Sequence, residues 1–355
     1  MILLIPAFEH GRGGGHLCRC MTLACDLRAL GREAWLYIPQ HTGDMDKLFH
    51  SMNFDPAWRI TDNDLQSICV SCNKDSRAKQ VNFIILDRFQ TPPEELSRWN
   101  EIGPVIGIDE GGSCRDGFDF LIDILIPEKF IKPLPNIADP SLLKFPPRTT
   151  AKRESPDGTK KILVSFGQED SAGLGLAVTR TLCAGNFVAK GVNGGIDITW
   201  LRGGLAEKEK TEPLPNVRVI ENIPNLAEHL GEYDIVITHY GITAYEALYA
   251  QTPVLLVSPT PYHEKLAKAA GFTTVSIKHL KKGVSHLFKN GVSRLLQKGE
   301  SLTALINSFS PQVNRCCPVC AGNFVAKGVN GGIDITWLRG GLAEKDKTEP
   351  LPNVR

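Results

Sequence analysis

Short, wholly apolar runs alternate along this chain with longer stretches in which apolar residues recur at helical spacing. The first kind of run predicts a buried strand, and the second predicts a helix with one packed face. Their alternation is typical of parallel sheets covered by helices. In the first part of the chain we predict strands over 1–7, 33–38, 82–86, 104–108 and 120–125, and a helix over about 17–30.

A polar, proline-rich stretch at 144–161 interrupts the alternation and predicts a linker between two domains. We therefore expect two α/β domains, over 1–150 and 151–310. In the second domain we predict strands over 162–166, 196–201, 217–219, 234–238 and 254–257. The helices predicted there fall near 173–184, 224–231, 242–250, 262–270, 284–297 and 300–308.

The last part of the chain repeats an earlier part. Residues 183–218 recur as 320–355, and the one difference is that Glu209 becomes Asp346. Repeat folds need about three or more units to bury a shared core, so a single copy does not predict one. We expect 311–355 to be an appended tail. The strand at 196–201 should be buried with its Trp200, whereas the matching 333–338 cannot occupy the same slot.

Charge and hydropathy exclude two classes of protein. The 355 residues carry a formal net charge of +1, from 40 basic and 39 acidic residues. Nucleic-acid-binding proteins usually carry a basic excess, so we expect no nucleic-acid partner. No apolar run reaches the roughly 18 residues of a membrane span, so we expect no integral membrane contact.

The ten cysteines stand in a chain without a recognisable signal peptide, which favours reduced thiols and a cytoplasmic location. Two CxxC pairs, Cys69/Cys72 and Cys317/Cys320, could together supply four thiolates to zinc. About 245 residues separate the pairs, far more than structural zinc sites use. We therefore favour incidental thiols and predict no metal.

A glycine-rich loop at 11–16 joins the first predicted strand to the first helix. Gly13, Gly14 and Gly15 let the backbone approach a ligand closely, and a helix N-terminus suits an anion. The spacing fits neither the dinucleotide motif nor the P-loop. His16 stands at the helix start, where the dipole disfavours the imidazolium, so it is a candidate general base. The alternative is a capping or surface histidine.

A second turn follows the predicted strand at 234–238. It contains His239 and Gly241, at the strand end where open α/β sheets bind ligands. Thr243 could cap the next helix and bind a phosphate oxygen. Glu246 lies one turn further on, where a carboxylate could accept hydrogen bonds from ribose hydroxyls. The alternative is a glutamate that only complements the helix dipole.

Other strand ends carry polar or flexible residues as well. Gly167 lies in the turn after the strand at 162–166, although an ordinary βα loop explains it equally. Asp87 and Asp109 each end a predicted strand of the first domain.

The segment GHLCRCMTLA at 15–24 is similar to the G-H-x-x-R-C-x-T-L-A segment of the UDP-diacetamido-trideoxyaltrose hydrolases of pseudaminic acid synthesis and their spore-coat-polysaccharide relatives. That group in turn resembles the MurG-type glycosyltransferases, whose glycine-rich loop also ends in Gly-His. Segments at 162–167, 216–226 and 234–253 resemble the same group in the same order. The resemblance spans about residues 1–305.

The resemblance implies a GT-B architecture, in which two Rossmann-like domains with parallel sheets face each other across a cleft. His16 would activate the nucleophile that displaces UDP from the anomeric carbon of a UDP-sugar. No metal or other cofactor is implied, because helix N-termini can carry the diphosphate charge. The residues expected to bind the sugar are Gly13, Gly14, Gly15, Arg19, Asp87 and Asp109. The residues expected to bind the nucleotide are Gly167, Ile223, His239, Gly241, Ile242, Thr243 and Glu246.

The chain departs from this family in three places. The family often has Gly-Gly or Gly-Ala-Ser before the threonine, where this chain has residues 239–242, HYGI. A Gln…Asn-Ala pattern is replaced by His263 and Leu266-Ala267. A usual N-terminal aspartate has no clear counterpart, and Glu9 is the nearest acid. These departures concern the identity of the sugar more than the fold.

Three functions remain open on sequence grounds. The first is a nucleotide-sugar hydrolase or glycosyltransferase with His16 as base, and the absence of a basic amphipathic patch favours a reaction away from lipid. The second is a binding protein without catalysis, which would need Glu246 but not His16. The third is a nucleotide-sugar epimerase on the same fold.

Overall fold

The computed structural model describes residues 1–8, 14–72, 81–127, 130–139, 143, 157–168, 170, 172–183, 195–203, 214, 216–281, 292, 325–329 and 332–336.

The first part of the chain forms a seven-stranded sheet with helices between its strands. Its strands are β1 Ile2–Pro6, β2 Ala34–Tyr37, β3 Arg59–Ile60, β4 Phe83–Asp87, β5 Val105–Ile108, β6 Phe120–Asp123 and β7 Ile137–Ala138. Its helices are α1 Gly14–Ala29, α2 Gly43–Ser51, α3 Asp62–Cys72 and α4 Pro93–Asn100. The strand order is β3-β2-β1-β4-β5-β6-β7, and every pair is parallel.

The second part forms a six-stranded parallel sheet of the same design. Its strands are β8 Lys160–Ser165, β9 Ile196–Leu201, β10 Val217–Ile220, β11 Ile235–Thr238, β12 Val254–Ser258 and β13 Thr274–Ser276. Its helices are α5 Leu174–Cys183, α6 Leu226–His229, α7 Ile242–Tyr249, α8 Pro261–Ala269 and α9 Ile277–Lys281. The order is β10-β9-β8-β11-β12-β13, with all pairs parallel.

The hydrophobic pattern explains these layers. All five residues of β1 and of β4 are buried, because helices cover both faces of the sheet and no face can be polar. In α1, Leu17, Met21 and Ala24 recur at helical spacing and are fully buried, so one face of the helix packs on the sheet.

The two sheets meet through the loops at the carboxyl ends of their strands. After β4, the ring of Phe89 lies 5.0 Å from that of Tyr262 and is stacked 6.2 Å from that of His263, at the start of α8. After β6, Phe130 lies 5.8 Å from Tyr262. The Tyr240 hydroxyl, just before α7, donates to the Leu125 carbonyl. The carboxyl edges of the two sheets therefore face each other.

Most predicted elements lie within a few residues of their observed positions. Helix α1 begins at Gly14 rather than near residue 17, so Gly14, Gly15 and His16 belong to its first turn. The elements that sequence reasoning missed are short or polar: α2, α3, α4, β3, β7, β13 and α9. The predicted helices at 284–297 and 300–308 lie outside the described residues except for the helical, buried Val292. The domain limits 1–150, 151–310 and 311–355 stay predictions.

The duplicated sequence adopts two structures. In β9 the segment is parallel to both β8 and β10, and Trp200 is buried as expected. In the tail, β14 Val325–Val329 and β15 Gly332–Thr336 form an antiparallel two-stranded sheet. The matching Trp337 lies outside the described residues. Among the described residues, the same sequence therefore pairs in parallel in β9 and antiparallel in β15.

Candidate active site

The candidate residues gather where each sheet reverses its strand order. In the first sheet this point lies between β1 and β4, and in the second it lies between β8 and β11. Loops leave such a point in opposite directions and open a crevice at the carboxyl ends of the strands. The first crevice holds His16 and Asp87, and the second holds Gly167 and His239.

His16 is oriented by a buried carboxylate. Its Nδ1 lies 2.7 Å from Oδ1 of Asp87, the last residue of β4. Asp87 is fully buried, whereas the His16 side chain is 31% exposed, so the ring reaches the cleft. An ionised carboxylate only accepts hydrogen bonds, so Nδ1 carries a proton, and in the neutral ring Nε2 then carries the lone pair. The arrangement leaves Nε2 able to take a proton from a ligand.

Arg19 keeps that carboxylate ionised. Its Nε and Nη2 donate to the two oxygens of Asp87 at 2.7 and 2.5 Å, and its Nη1 donates to Oδ2 of Asp109 at 2.6 Å. Burial alone would raise the pKa of Asp87, but Arg19 and His16 outweigh it and hold that pKa well below its usual range. The Cys20 thiol also approaches Asp87, with Sγ 3.8 Å from Oδ2.

Asp109 fastens the same cluster to the next loop. Its φ of +52° is left-handed, which aspartate tolerates because its short side chain bonds nearby backbone. Here Oδ1 accepts from the amides of Ile124 and Leu125, both at 2.7 Å, and from Ile126 at 3.3 Å. Asp87 and Asp109 thus both bond protein groups, and the expectation that they also bind the sugar stays a prediction.

In the second domain two glycines flank His239. Gly167 needs its flexibility, because its φ is +83°. A Cβ built at Gly167 or at Gly241 would lie 3.7 Å from the His239 ring. Nδ1 of His239 is buried without a hydrogen-bond partner among the described residues. Burial, with a contribution from His263, lowers the pKa of His239 to about 4, so the ring is neutral at neutral pH.

Glu246 lies one turn into α7, close to Thr243. Burial raises the pKa of Glu246 to about 7, although a hydrogen bond from Thr243 opposes the shift. Near neutral pH this carboxyl is therefore poised between its two protonation states. Ile242 is the first residue of α7 and is half-buried.

The structure brings most of the predicted site residues into two clusters. The first-domain cluster contains His16, Arg19, Asp87 and Asp109. The second contains Gly167, His239, Gly241, Thr243 and Glu246. Gly14 and Gly15 begin α1, and a Cβ at Gly15 would meet no atom within 4 Å, so open space adjoins the helix start. Gly13 lies outside the described residues. Ile223 is partly buried and packs against the hydrophobic core.

Sequence reasoning missed Tyr240, whose hydroxyl reaches the first domain. Its position beside the predicted glycine turn was visible, but the partner carbonyl lies 115 residues away in sequence. It also gave no role to Asp170, which caps α5 by accepting from the amides of Leu174 and Gly175 at 2.8 and 2.7 Å.

Two properties of the described part of the chain concern metal ligands and membrane-spanning helices. There, no group of three or more His, Cys, Asp or Glu side chains is placed to hold a metal ion. Cys69 and Cys72 lie in α3, but their side chains, like Cys317 and Cys320, are outside the description, so the zinc alternative is untouched. None of the helices described is both long enough and apolar enough to span a bilayer.

Comparisons with known proteins identify the fold. No family model and no curated protein matches the sequence. Among solved structures, the spinosyn rhamnosyltransferase SpnG is similar with a TM-score of 0.55 at 14% identity, over 86% of this chain and 95% of that one. The chain has the GT-B fold. The spinosyn forosaminyltransferase SpnP has a TM-score of 0.52 at 13% identity, over 86% of this chain and 99% of that one.

A second SpnG structure is a complex with thymidine diphosphate, and it matches with a TM-score of 0.51 at 12% identity, over 86% of this chain and 99% of that one. The two-domain GT-B expectation is thereby confirmed. At such low sequence identity the structural similarity establishes the fold and not the chemistry.

Proposed function

We propose that this protein is an enzyme that cleaves or transfers the sugar of a nucleotide-sugar, with His16 as the general base. The observation that carries the proposal is the hydrogen bond between Nδ1 of His16 and the buried, ionised Asp87. It fixes the ring and its tautomer, as a catalytic histidine requires, and it sits at a strand-order reversal on a half-exposed helix start. A capping or surface histidine would need no buried carboxylate.

The proposed reaction is a displacement at the anomeric carbon. Nε2 of His16 takes the proton from water or an acceptor hydroxyl while that oxygen bonds to the anomeric carbon. The bond from this carbon to the diphosphate oxygen breaks, and the nucleoside diphosphate leaves with the electron pair. Asp87 stabilises the imidazolium that forms. A positioned base of this kind contributes roughly 10²–10⁴-fold in rate.

The diphosphate is assigned to the turn before α7. Gly167 and Gly241 carry no side chain beside the His239 ring, and the N-terminus of α7 favours negative charge. The buried, unpartnered Nδ1 of His239 is a polar atom that a phosphate oxygen could satisfy. Gly241 and Thr243 supply the turn, and no metal takes part in this scheme.

Glu246 is assigned to the ribose. Its carboxyl lies one turn beyond the diphosphate turn, on the same helix face as Thr243, and an ionised carboxylate accepts hydrogen bonds from two vicinal hydroxyls. Uridine is the nucleoside that the sequence resemblance favours. The hydrolase of that resemblance and a MurG-like transferase differ in whether water or an acceptor attacks.

One assay separates the candidate functions. The protein is incubated with UDP-sugars and dTDP-sugars, and free nucleoside diphosphate is measured with and without a glycosyl acceptor. A hydrolase releases it without acceptor, and a transferase releases it only with acceptor. Binding without release indicates a non-catalytic protein, and conversion of the sugar with the nucleotide still attached indicates an epimerase. Either of these last two outcomes contradicts the proposal.

A further inference from the structure

A continuous series of polar contacts crosses from the first domain to the second. It starts at His16 and Asp87, passes through Arg19 to Asp109, and continues through the amide and carbonyl of Leu125. It ends at the Tyr240 hydroxyl, which donates to that carbonyl. We call this series the cross-domain chain. Gly241 follows Tyr240 directly, so the cross-domain chain joins the His16 cluster to the proposed diphosphate turn.

The first-domain part of the cross-domain chain is rigid, because each of its side chains has hydrogen-bond partners on two sides. Asp109 is 5% exposed and divides its two oxygens between Arg19 and the amides of residues 124–126. Arg19 divides its nitrogens between Asp87 and Asp109. A shift of the loop at 124–126 would therefore be transmitted to the carboxylate that orients His16.

Tyr240 is held as firmly on the other side. It is 7% exposed, and its ring makes edge contacts with Tyr245 and Phe272 at centroid distances of 6.0 and 5.9 Å. A carbonyl oxygen cannot donate, so the Tyr240 hydroxyl donates to Leu125 and accepts from the Tyr245 hydroxyl at 2.8 Å. Burial raises the pKa of Tyr240 far above its ordinary value, which keeps this donor protonated.

We propose that Tyr240 is a positioning residue that sets the placement of the His16–Asp87 pair relative to the nucleotide turn of the second domain. The effect of Tyr240 on turnover rests on the proposed function, whereas its effect on the distance between the domains does not. A base and a leaving group carried on different domains must be aligned to within about 1 Å for efficient attack. A bond between the domains at Tyr240 supplies that alignment, because it begins one residue from Gly241 and reaches His16 through the cross-domain chain.

The test compares Tyr240→Phe with the matched control Tyr245→Phe. The two tyrosines lie beside each other, are similarly buried and share a hydroxyl contact, and it is the Tyr240 hydroxyl that donates to the Leu125 carbonyl of the first domain. Spin labels on ketone-bearing residues introduced at the exposed positions 30 and 219 report the distance between the domains. We expect Tyr240→Phe to at least double the width of the distance distribution and Tyr245→Phe to leave it unchanged. An unchanged width in Tyr240→Phe overturns the proposal, whatever the protein catalyses.

The kinetic arm measures positioning separately from binding. In Tyr240→Phe we expect kcat for release of nucleoside diphosphate to fall by roughly 10- to 100-fold, while the Kd for UDP changes by less than about threefold. Tyr245→Phe should keep both values. A Kd that weakens as much as kcat falls would mean that Tyr240 serves the nucleotide site alone, which contradicts positioning.

Two safeguards keep the outcomes distinct. If Tyr240→Phe does not fold, Asp109→Asn breaks the contact with Arg19 and leaves the Tyr240 bond between the domains intact. It must then lower kcat without broadening the distance distribution or weakening the Kd for UDP, or the proposal fails. If the wild-type protein releases no nucleoside diphosphate, the proposed function fails, and the distance measurement still decides the role of Tyr240.

Discussion

Nδ1 of His16 lies 2.7 Å from Oδ1 of Asp87, although 71 residues separate them in sequence. The pair forms because β1 and β4 are adjacent in the sheet, so the helix after β1 and the last residue of β4 meet at one edge. Register places Pro6 opposite Asp87, which brings the carboxylate level with the start of α1. Strand order thus brings together the proposed base and the carboxylate that orients it.

Replacing His16 with alanine should abolish most of the activity while leaving nucleotide binding intact. We expect turnover to fall by on the order of 10²–10⁴-fold, because the general base is lost, while the Kd for UDP stays nearly unchanged. Steady-state release of nucleoside diphosphate and calorimetric binding measure the two. His41→Ala is the control, since His41 also pairs with an aspartate, Asp46 at 2.9 Å, but on the exposed surface. Unchanged turnover in His16→Ala would remove the assignment.

Replacing Glu246 with alanine should weaken UDP binding by roughly 1–3 kcal/mol, because charge-assisted hydrogen bonds to the ribose are lost. The wild-type affinity should also depend on pH. The pKa of Glu246 is raised to about 7, so its acceptor form grows as pH rises from about 6 to 8, and UDP should bind more tightly over that range.

Glu246→Gln is the control for this pH dependence. It keeps the shape of the side chain but does not titrate, so its affinity should be flat over the same range. A wild-type affinity that falls with rising pH, or a glutamine variant with the wild-type slope, would contradict the ribose assignment.

Removing the Arg115 side chain should lower the free energy of unfolding more than removing an exposed cation does. Arg115 and Asp123 are 1% and 2% exposed and are joined by two bonds of 3.0 and 2.7 Å. Burial raises the pKa of Asp123 to about 6 even with Arg115 opposing the shift. Arg115→Ala should lower the free energy of unfolding by roughly 3–5 kcal/mol, because it leaves a buried carboxylate without its cation.

The matched control is Lys268→Ala, which breaks the exposed pair with Glu264 on α8. We expect less than about 0.5 kcal/mol there. Urea unfolding of both variants gives the comparison, and equal effects would show that burial does not decide the strength of these pairs.

Removing the duplicated tail should leave the rest of the protein intact. In the described part of the tail, β14 and β15 pair with each other and with no strand of the two larger sheets. A chain ending after Ser310 should therefore keep the wild-type unfolding midpoint and turnover. Tryptophan fluorescence follows the unfolding of both chains, with Trp200 in the core of the second domain and Trp99 in that of the first. Failure of the truncated chain to fold would make the tail a structural element.

The sequence by itself determined the α/β class and most strand positions, because a strand covered by helices on both faces must be largely apolar. β1 is apolar throughout, and β4 and β12 are apolar up to their last residues, Asp87 and Ser258. It also located the two turns that carry His16 and His239, since glycines and a helix start are local features. It missed β3 and β7, which have two residues each, because pairing at a sheet edge rather than their own composition makes them strands.

Only the tertiary structure determined which groups the two aspartates, Asp87 and Asp109, contact. Asp87 and Asp109 were visible as strand ends, but their partners come from α1 and from the loop after β6, which are remote in sequence. Local propensity contains no information about which strands lie side by side, and strand order alone brings these groups together. The same reason explains Tyr240, whose hydroxyl finds its acceptor in the other domain, and the duplicated segment, whose identical residues pair as β9 in one place and as β15 in another.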